Sequence, residues 1–173
     1  MLSRNRHALK EGEASCDLLA RGGGVLLLRK GGILERRGGF RVEHREFFLF
    51  PTRFHAQGEA PPERVELRLY ASVEEDLPVT DLDALRRLGG LHAVPWEDVE
   101  RRFHYGNEKG VHALVLRAWR LDRAHPVEDA RAYDGCRSWV ELREELPVVA
   151  AAPALADGEF EAKRRAVRDA LHG

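Results

Sequence analysis

The sequence predicts an α+β fold: a mainly antiparallel mixed sheet or small barrel with peripheral helices and a C-terminal helix. Three observations carry this. VELRLYA (65–71) and VHALVLRAWRL (111–121) alternate apolar with polar side chains, the two-residue period of a strand. Residues 82–88 and 159–172 instead repeat their apolar positions at helical spacing. Glycine clusters at 22–24, 31–32 and 38–39 punctuate the early strands like hairpin turns, with no regular βαβ alternation. With 173 residues, 43% hydrophobic and 33% charged, the chain suits one ordinary domain and argues against wholesale disorder.

Taken in order, residues 6–20 set Leu9, Cys16, Leu18 and Leu19 among charged neighbours, which reads as a loosely amphipathic helix ended by Gly22–Gly24. VLLLR (25–29) is a short apolar run bounded by glycines, hence a buried strand. FRVEHREFFLF (40–50) alternates in its front half and gives no clean helical stripe. It reads as a strand, bent near Glu46 and ended by Pro51, which lacks a ladder donor. After the 65–71 strand, Asp81 is placed to cap a helix through Leu82, Leu85 and Leu88. Residues 96–104 form a second short helix with Trp96, Val99 and Phe103 on one side, and 111–121 is the longest strand. A helix over 138–146 follows the turn YDGC. PVVAAAPALADG then reads as a linker or a packed extended tail, and 159–172 as a terminal amphipathic helix docked on the body or on a partner. The expected division is one domain over 1–146, with linker and helix over 147–173.

Four fragments carry a resemblance: ALKEG (8–12), LLLRKGGI (26–33), FRVEHREFFLFPT (40–52) and GCRSWVEL (135–142). Together they resemble a bacterial family known as domain of unknown function 1802, over roughly residues 8–145, with the terminal helix outside. Family members tend to carry Trp after ALKE, where this chain has Gly12. The resemblance implies no established chemistry; it concentrates attention on the residues inside the fragments.

Charge is uneven along the chain. Between Arg21 and His55, eight basic residues stand against three acidic ones, a surplus of +5 in a chain whose formal charge is −1. Clustered cations favour phosphate binding, because each neutralised phosphate releases counterions. Phe40, Phe47, Phe48, Phe50 and Phe54 interleave with them and suit stacking on unpaired bases. The alternative is that these phenylalanines are core and the arginines a solvated strand face. The leading expectation is therefore a binding module for RNA or single-stranded DNA, with Arg29, Lys30, Arg41, Arg45, Arg53 and Arg137 as ligand contacts. The order of short helix, glycine turn and basic strand is similar to the small RNA-binding barrels of the PUA and ASCH group.

A second reading is a metal-dependent phosphodiester hydrolase or nuclease, with Glu43, His44, Glu46 and His55 supplying acid–base groups or ligands to a divalent metal. His44 and Glu46 share a strand face at i, i+2, and His55 follows the strand. No cofactor fingerprint supports it: neither GxGxxG nor GxxxxGK[ST] occurs, the glutamate-rich Nudix helix is missing, and the sole ExK, Glu161-Ala162-Lys163, lies in the terminal helix. Cys136 has no sequence-local base and reads as a small buried hydrophobe. A third reading is a structural or interaction protein, binding a partner or a second copy of itself through the face from Phe160 to Leu171. The opening MLSRNRHALKEGEA lacks an apolar core of signal-peptide length, and no membrane partner is expected, which points to the cytoplasm.

Overall fold

The computed structural model describes residues 1–30, 40–52, 63–106, 109–133, 135, 137–149 and 152–173. Its strands are β1 (Arg4–Gly12), β2 (Leu26–Arg29), β3 (Glu46–Thr52), β4 (Val65–Val79), β5 (Val111–Val127), β6 (Trp139–Pro147) and β7 (Ala152–Pro153). The helices are α1 (Glu13–Ala20), α2 (Leu82–Arg87), α3 (Trp96–His104) and α4 (Asp157–His172). The strands form one mixed sheet in the order β2-β5-β4-β3-β1-β6, with β7 also beside β5. β1 pairs parallel with β3, and every other pairing is antiparallel. The sheet is open, so of the two architectures expected from sequence the mixed sheet is the one formed.

Alternation places the core on both faces of the central strands. Phe47 and Leu49 of β3 pack with Leu9, Leu19 and Cys16 under α1, while Phe48 and Phe50 point oppositely, towards Ala8, Tyr70 and Leu142. The third apolar cluster joins Leu26 and Leu28 of β2 to Leu85, Val99, Phe103, Phe160 and Val167, one helical stripe from each of α2, α3 and α4. In α2, Asp81 Oδ1 accepts a hydrogen bond from Asp83 N at 2.9 Å, the cap expected from sequence.

Three expectations are corrected. Residues 4–12 form a strand, and the helix starts only at Glu13. β3 and β6 occupy both edges of β1, so its Ala8 and Leu9 enter opposite cores, which a helix cannot arrange. Residues 139–147, expected as helix, form β6 at the edge of the sheet. The 40–50 strand begins only at Glu46 and runs through Pro51 to Thr52. Past Phe48, β3 has a ladder partner only in β1, and a proline is tolerated on such a half-paired strand. The expected linker contributes β7, whose approach to the chain after α1 is close. Gly22 has φ +69°, and a Cβ there would meet Ala154 O at 2.8 Å.

The C-terminal helix is bound to the body. Phe160 is 2% and Val167 0% exposed, against α2 and the sheet. Glu75 of β4 receives Arg164 and Arg168, Arg117 pairs with Asp157, and Arg87 Nε donates to Ala170 O at 2.7 Å. The face expected to bind a partner or a second copy is thus covered by the chain itself at Phe160 and Val167. No helix among the described residues is long and apolar enough to cross a membrane.

Candidate nucleic-acid interface

Arg29 ends β2 and turns inward. Its Nη1 donates to Glu11 Oε2 at 2.9 Å and to Lys10 O at 3.0 Å, and its Nη2 to Ser138 Oγ at 2.7 Å. The Arg29 side chain is 13% and that of Glu11 2% exposed. Glu11 Oε1 accepts from Gly12 N at 2.9 Å, and Thr52 Oγ1 donates to Glu11 O at 3.1 Å. The Arg29 guanidinium also lies 5.3 Å from the Phe40 ring centre. One buried ion pair thereby ties β1, β2, the end of β3, the start of β6 and the 40–45 segment together. Arg29, expected on an accessible wall, acts as an internal brace; a charge so buried needs its partner more than it offers itself to a ligand.

The other expected cations separate. Lys30, half-buried, donates from Nζ to Gly110 O at 2.8 Å. Exposed Arg45 donates from Nη1 to Val73 O at 3.3 Å, beside β4. Arg41 and Arg137 are exposed, and the structure brings their segments together: Trp139 Nε1 donates to Arg41 O at 2.9 Å, and Arg137 lies two residues before Trp139. Arg53 and His55 lie outside the described residues, as do Phe54 and Cys136.

Where those two segments meet lies an aromatic group. The His7 and His44 rings stack in parallel, 3.5 Å between centroids and 9° between planes. Trp139 meets His44 edge-on at 5.3 Å and Phe47 at 4.9 Å, and stacks on Phe40 at 6.2 Å. His7, His44 and Trp139 are each half-exposed. Partial burial, and secondarily the neighbouring His7, lower the His44 pKa against the opposing pull of Glu43 and Glu141, so its ring is neutral at pH 7. A neutral imidazole presents a flat face at low desolvation cost. His7 gives no signal in the sequence because the segment reads as helix; as a strand it faces the 40–45 segment.

The carboxylates expected to hold a metal go elsewhere. Glu46 Oε2 accepts from Leu2 N at 2.6 Å and from the Tyr70 hydroxyl at 3.1 Å. Burial would raise its pKa, but these two donors hold the carboxyl below its ordinary value. Asn5, buried in β1, donates from Nδ2 to Tyr70 Oη and Glu46 O. Glu46 is thus structural, His44 is stacked on His7, and Glu43 is exposed. Among the described residues no three His, Cys, Asp or Glu side chains gather to hold a metal ion. Burial pushes the Cys16 thiol far up, which makes it inert.

Further along β1 lies a cleft of about 290 Å³ between the start of α1, Thr52, the 93–95 turn and α3. Glu11, Ser15 and Arg102 line it. Arg102 donates from Nη1 to Leu28 O at 2.9 Å, and burial lowers its pKa while Glu11 pulls it back up. None of these stands out in the sequence. Arg102 sits in an amphipathic helix, where a charged residue reads as solvated, and the cleft exists only because β1 is a strand.

The comparisons with known proteins agree with this architecture. A crystal structure of ASCH from Zymomonas mobilis, in a serine-to-alanine mutant, is 14% identical, with 96% of this chain and 99% of that chain covered and a TM-score of 0.50. A tyrosine-to-phenylalanine mutant of the same protein is 16% identical over 80% of this chain and 90% of that one, TM-score 0.49. At such identity the likeness is one of fold. No curated protein matches the sequence. The family model for a domain of unknown function, DUF1802, matches residues 8–166, so the match extends beyond the expected boundary into α4. The chain belongs to the DUF1802 family.

Proposed function

We propose that this protein binds single-stranded nucleic acid, with RNA as the first candidate, on the face where His7, His44 and Trp139 meet Arg41 and Arg137. The observation that carries the reading is that half-exposed aromatic group, built where two segments meet that each carry an exposed arginine. An unpaired base has a π-face that stacks on such rings whatever its sequence, at about 1–3 kcal/mol per base. The arginines reach the phosphates on either side and release counterions. Arg29 contributes by rigidity, holding Phe40 and Ser138 so that the aromatic group keeps its shape. The resemblance of the sequence order to the RNA-binding barrels of the PUA and ASCH group is consistent with this reading as analogy of architecture alone.

The test is fluorescence anisotropy with labelled oligouridylate and oligothymidylate at several salt concentrations. Replacing Arg41 and Arg137 by Glu should weaken binding at least tenfold. It should also flatten the plot of log K against log salt by about 1.4, at about 0.7 for each phosphate no longer neutralised. Unchanged affinity, or an unchanged salt slope, rejects the proposal.

A further inference from the structure

Taking the binding face above as given, we infer that the stacked His7–His44 pair couples it to pH: binding of single-stranded nucleic acid takes up one proton at the stack, and only one. The geometry of the stack carries this. β1 supplies His7, and the segment before β3 supplies His44; the rings lie face to face, 3.5 Å between centroids and 9° between planes. Both residues are half-exposed, so water and a ligand each reach them. Imidazole changes charge near neutral pH. One charged ring stacks readily on a neutral one, whereas two imidazolium rings at this separation repel each other. The pair therefore titrates as a unit that accepts a first proton far more easily than a second.

The surrounding charges set the resting state. Among the described residues, two carboxylates act on His44: Glu43 in its own segment and Glu141 on β6, the cross-strand partner of His7. Both are exposed, and Arg6 of β1 donates to Glu141 Oε1 at 3.3 Å. Their pull on a proton is outweighed by partial burial together with His7, and His44 rests neutral at pH 7. β3 reaches the group through Phe47, which meets the Trp139 ring and adds no charge.

A phosphate laid across this face supplies the missing counter-charge, and an opposite charge within about 4–6 Å favours the ionised form. A base over the stack gains as well, because a cation is attracted to a π-face. Linkage makes the effect reciprocal: a ligand that raises the affinity for the proton has its own affinity raised by the same factor. The protonated stack is the tighter binder, so affinity rises as pH falls and levels off once the single proton is in place.

The experiment is fluorescence anisotropy of the whole chain with labelled oligouridylate at one low salt concentration. Between about pH 8 and about pH 5.5 the affinity should rise about tenfold, as a one-unit rise in a pKa gives. Calorimetry in buffers of different ionisation enthalpy should count the uptake of about one proton rather than about two. The variant His7→Phe/His44→Phe keeps two flat rings and has no proton to take up there; whatever its affinity, that affinity should change less than about threefold over the same range. A general gain of positive charge on the remaining histidines would persist in that variant. In the free protein, proton NMR of the imidazoles should show His7 and His44 titrating in two separate steps, and His7→Phe should move the His44 step to higher pH. The proton count and the NMR titration use the unaltered chain and decide the matter if the double variant fails to fold. Binding that does not change with pH, uptake of about two protons, or an unaltered pH dependence in the double variant overturns the inference and leaves the binding reading standing. Absence of oligouridylate binding at every pH overturns both.

Discussion

Replacing Arg29 by Met removes the guanidinium while keeping most of the side chain's volume. Three hydrogen bonds disappear, at 2.7–3.0 Å, and Glu11 is left charged at 2% exposure. Removing one partner of a buried pair costs about 3–5 kcal/mol, because the remaining charge is neither solvated nor balanced. A domain has only about 5–15 kcal/mol in total, so the variant should be folded but marginal. Its Tm should fall by about 6–20 °C, at about 2–4 °C per kcal/mol for a chain of this size. Replacing Glu11 by Leu as well removes the stranded charge and should restore much of the loss. The assay is urea unfolding followed by the fluorescence of the three tryptophans. A loss below about 1 kcal/mol for Arg29→Met, or a double variant as unstable as the two single losses added together, refutes the account of Arg29 as a brace.

Further perturbations test the remaining architecture. Phe160→Ala should cost about 3–5 kcal/mol, the range for emptying a buried aromatic site, and should release α4 to proteolysis; α4 surviving limited proteolysis unchanged contradicts its docking. Asp81→Ala should cost about 1 kcal/mol by unmaking the bond to Asp83 N, measurable as a lower urea midpoint with unchanged slope. Burial opposes ionisation of Glu75, yet hydrogen bonds from Arg168 and Arg164 hold its carboxyl below the ordinary 4.5. A depressed carboxylate contributes stability that is full above its ordinary value and is lost as pH falls through the folded one. Acidification below 4.5 should therefore loosen α4, and Glu75→Gln should flatten that part of the pH dependence; an identical acid profile in the variant removes Glu75 from the clamp.

Elements whose side chains divide one core from a solvated surface are legible in the sequence. α2, α3, α4 and the alternating parts of β4 and β5 show their period because one face is apolar and the other is not, while β2 shows as an unbroken apolar run between glycines. β1 and β6 mislead for opposite reasons. β1 is flanked on both sides and buries Asn5 and Glu11, so polar letters that suggest a wet helix in fact point inward. β6 lies at the sheet edge with Glu141, Arg143, Glu144 and Glu145 exposed. Charges that blunt an edge against stray pairing are also good helix formers, and composition cannot separate the two. The site divides similarly. Arg41 and Arg137 are visible as cations, but their meeting through Trp139 spans 98 residues, and His7 joins them only because β1 is a strand. Arg29 stands out for its charge and proves internal, since local sequence does not say which carboxylate waits across the fold.

The placement of β1 has a consequence for how the protein is made. β1 is flanked by β3 and by β6, a segment that leaves the ribosome more than 130 residues later. Until that last partner emerges, one margin of β1 has no neighbour, and its Ala8 and Leu9 wait beside an unfinished core. Pairings of such long reach make closure slow, and the nascent chain exposes an adhesive margin until β6 is made. Shortening the chain before Trp139 should therefore give an aggregating product rather than a smaller folded one.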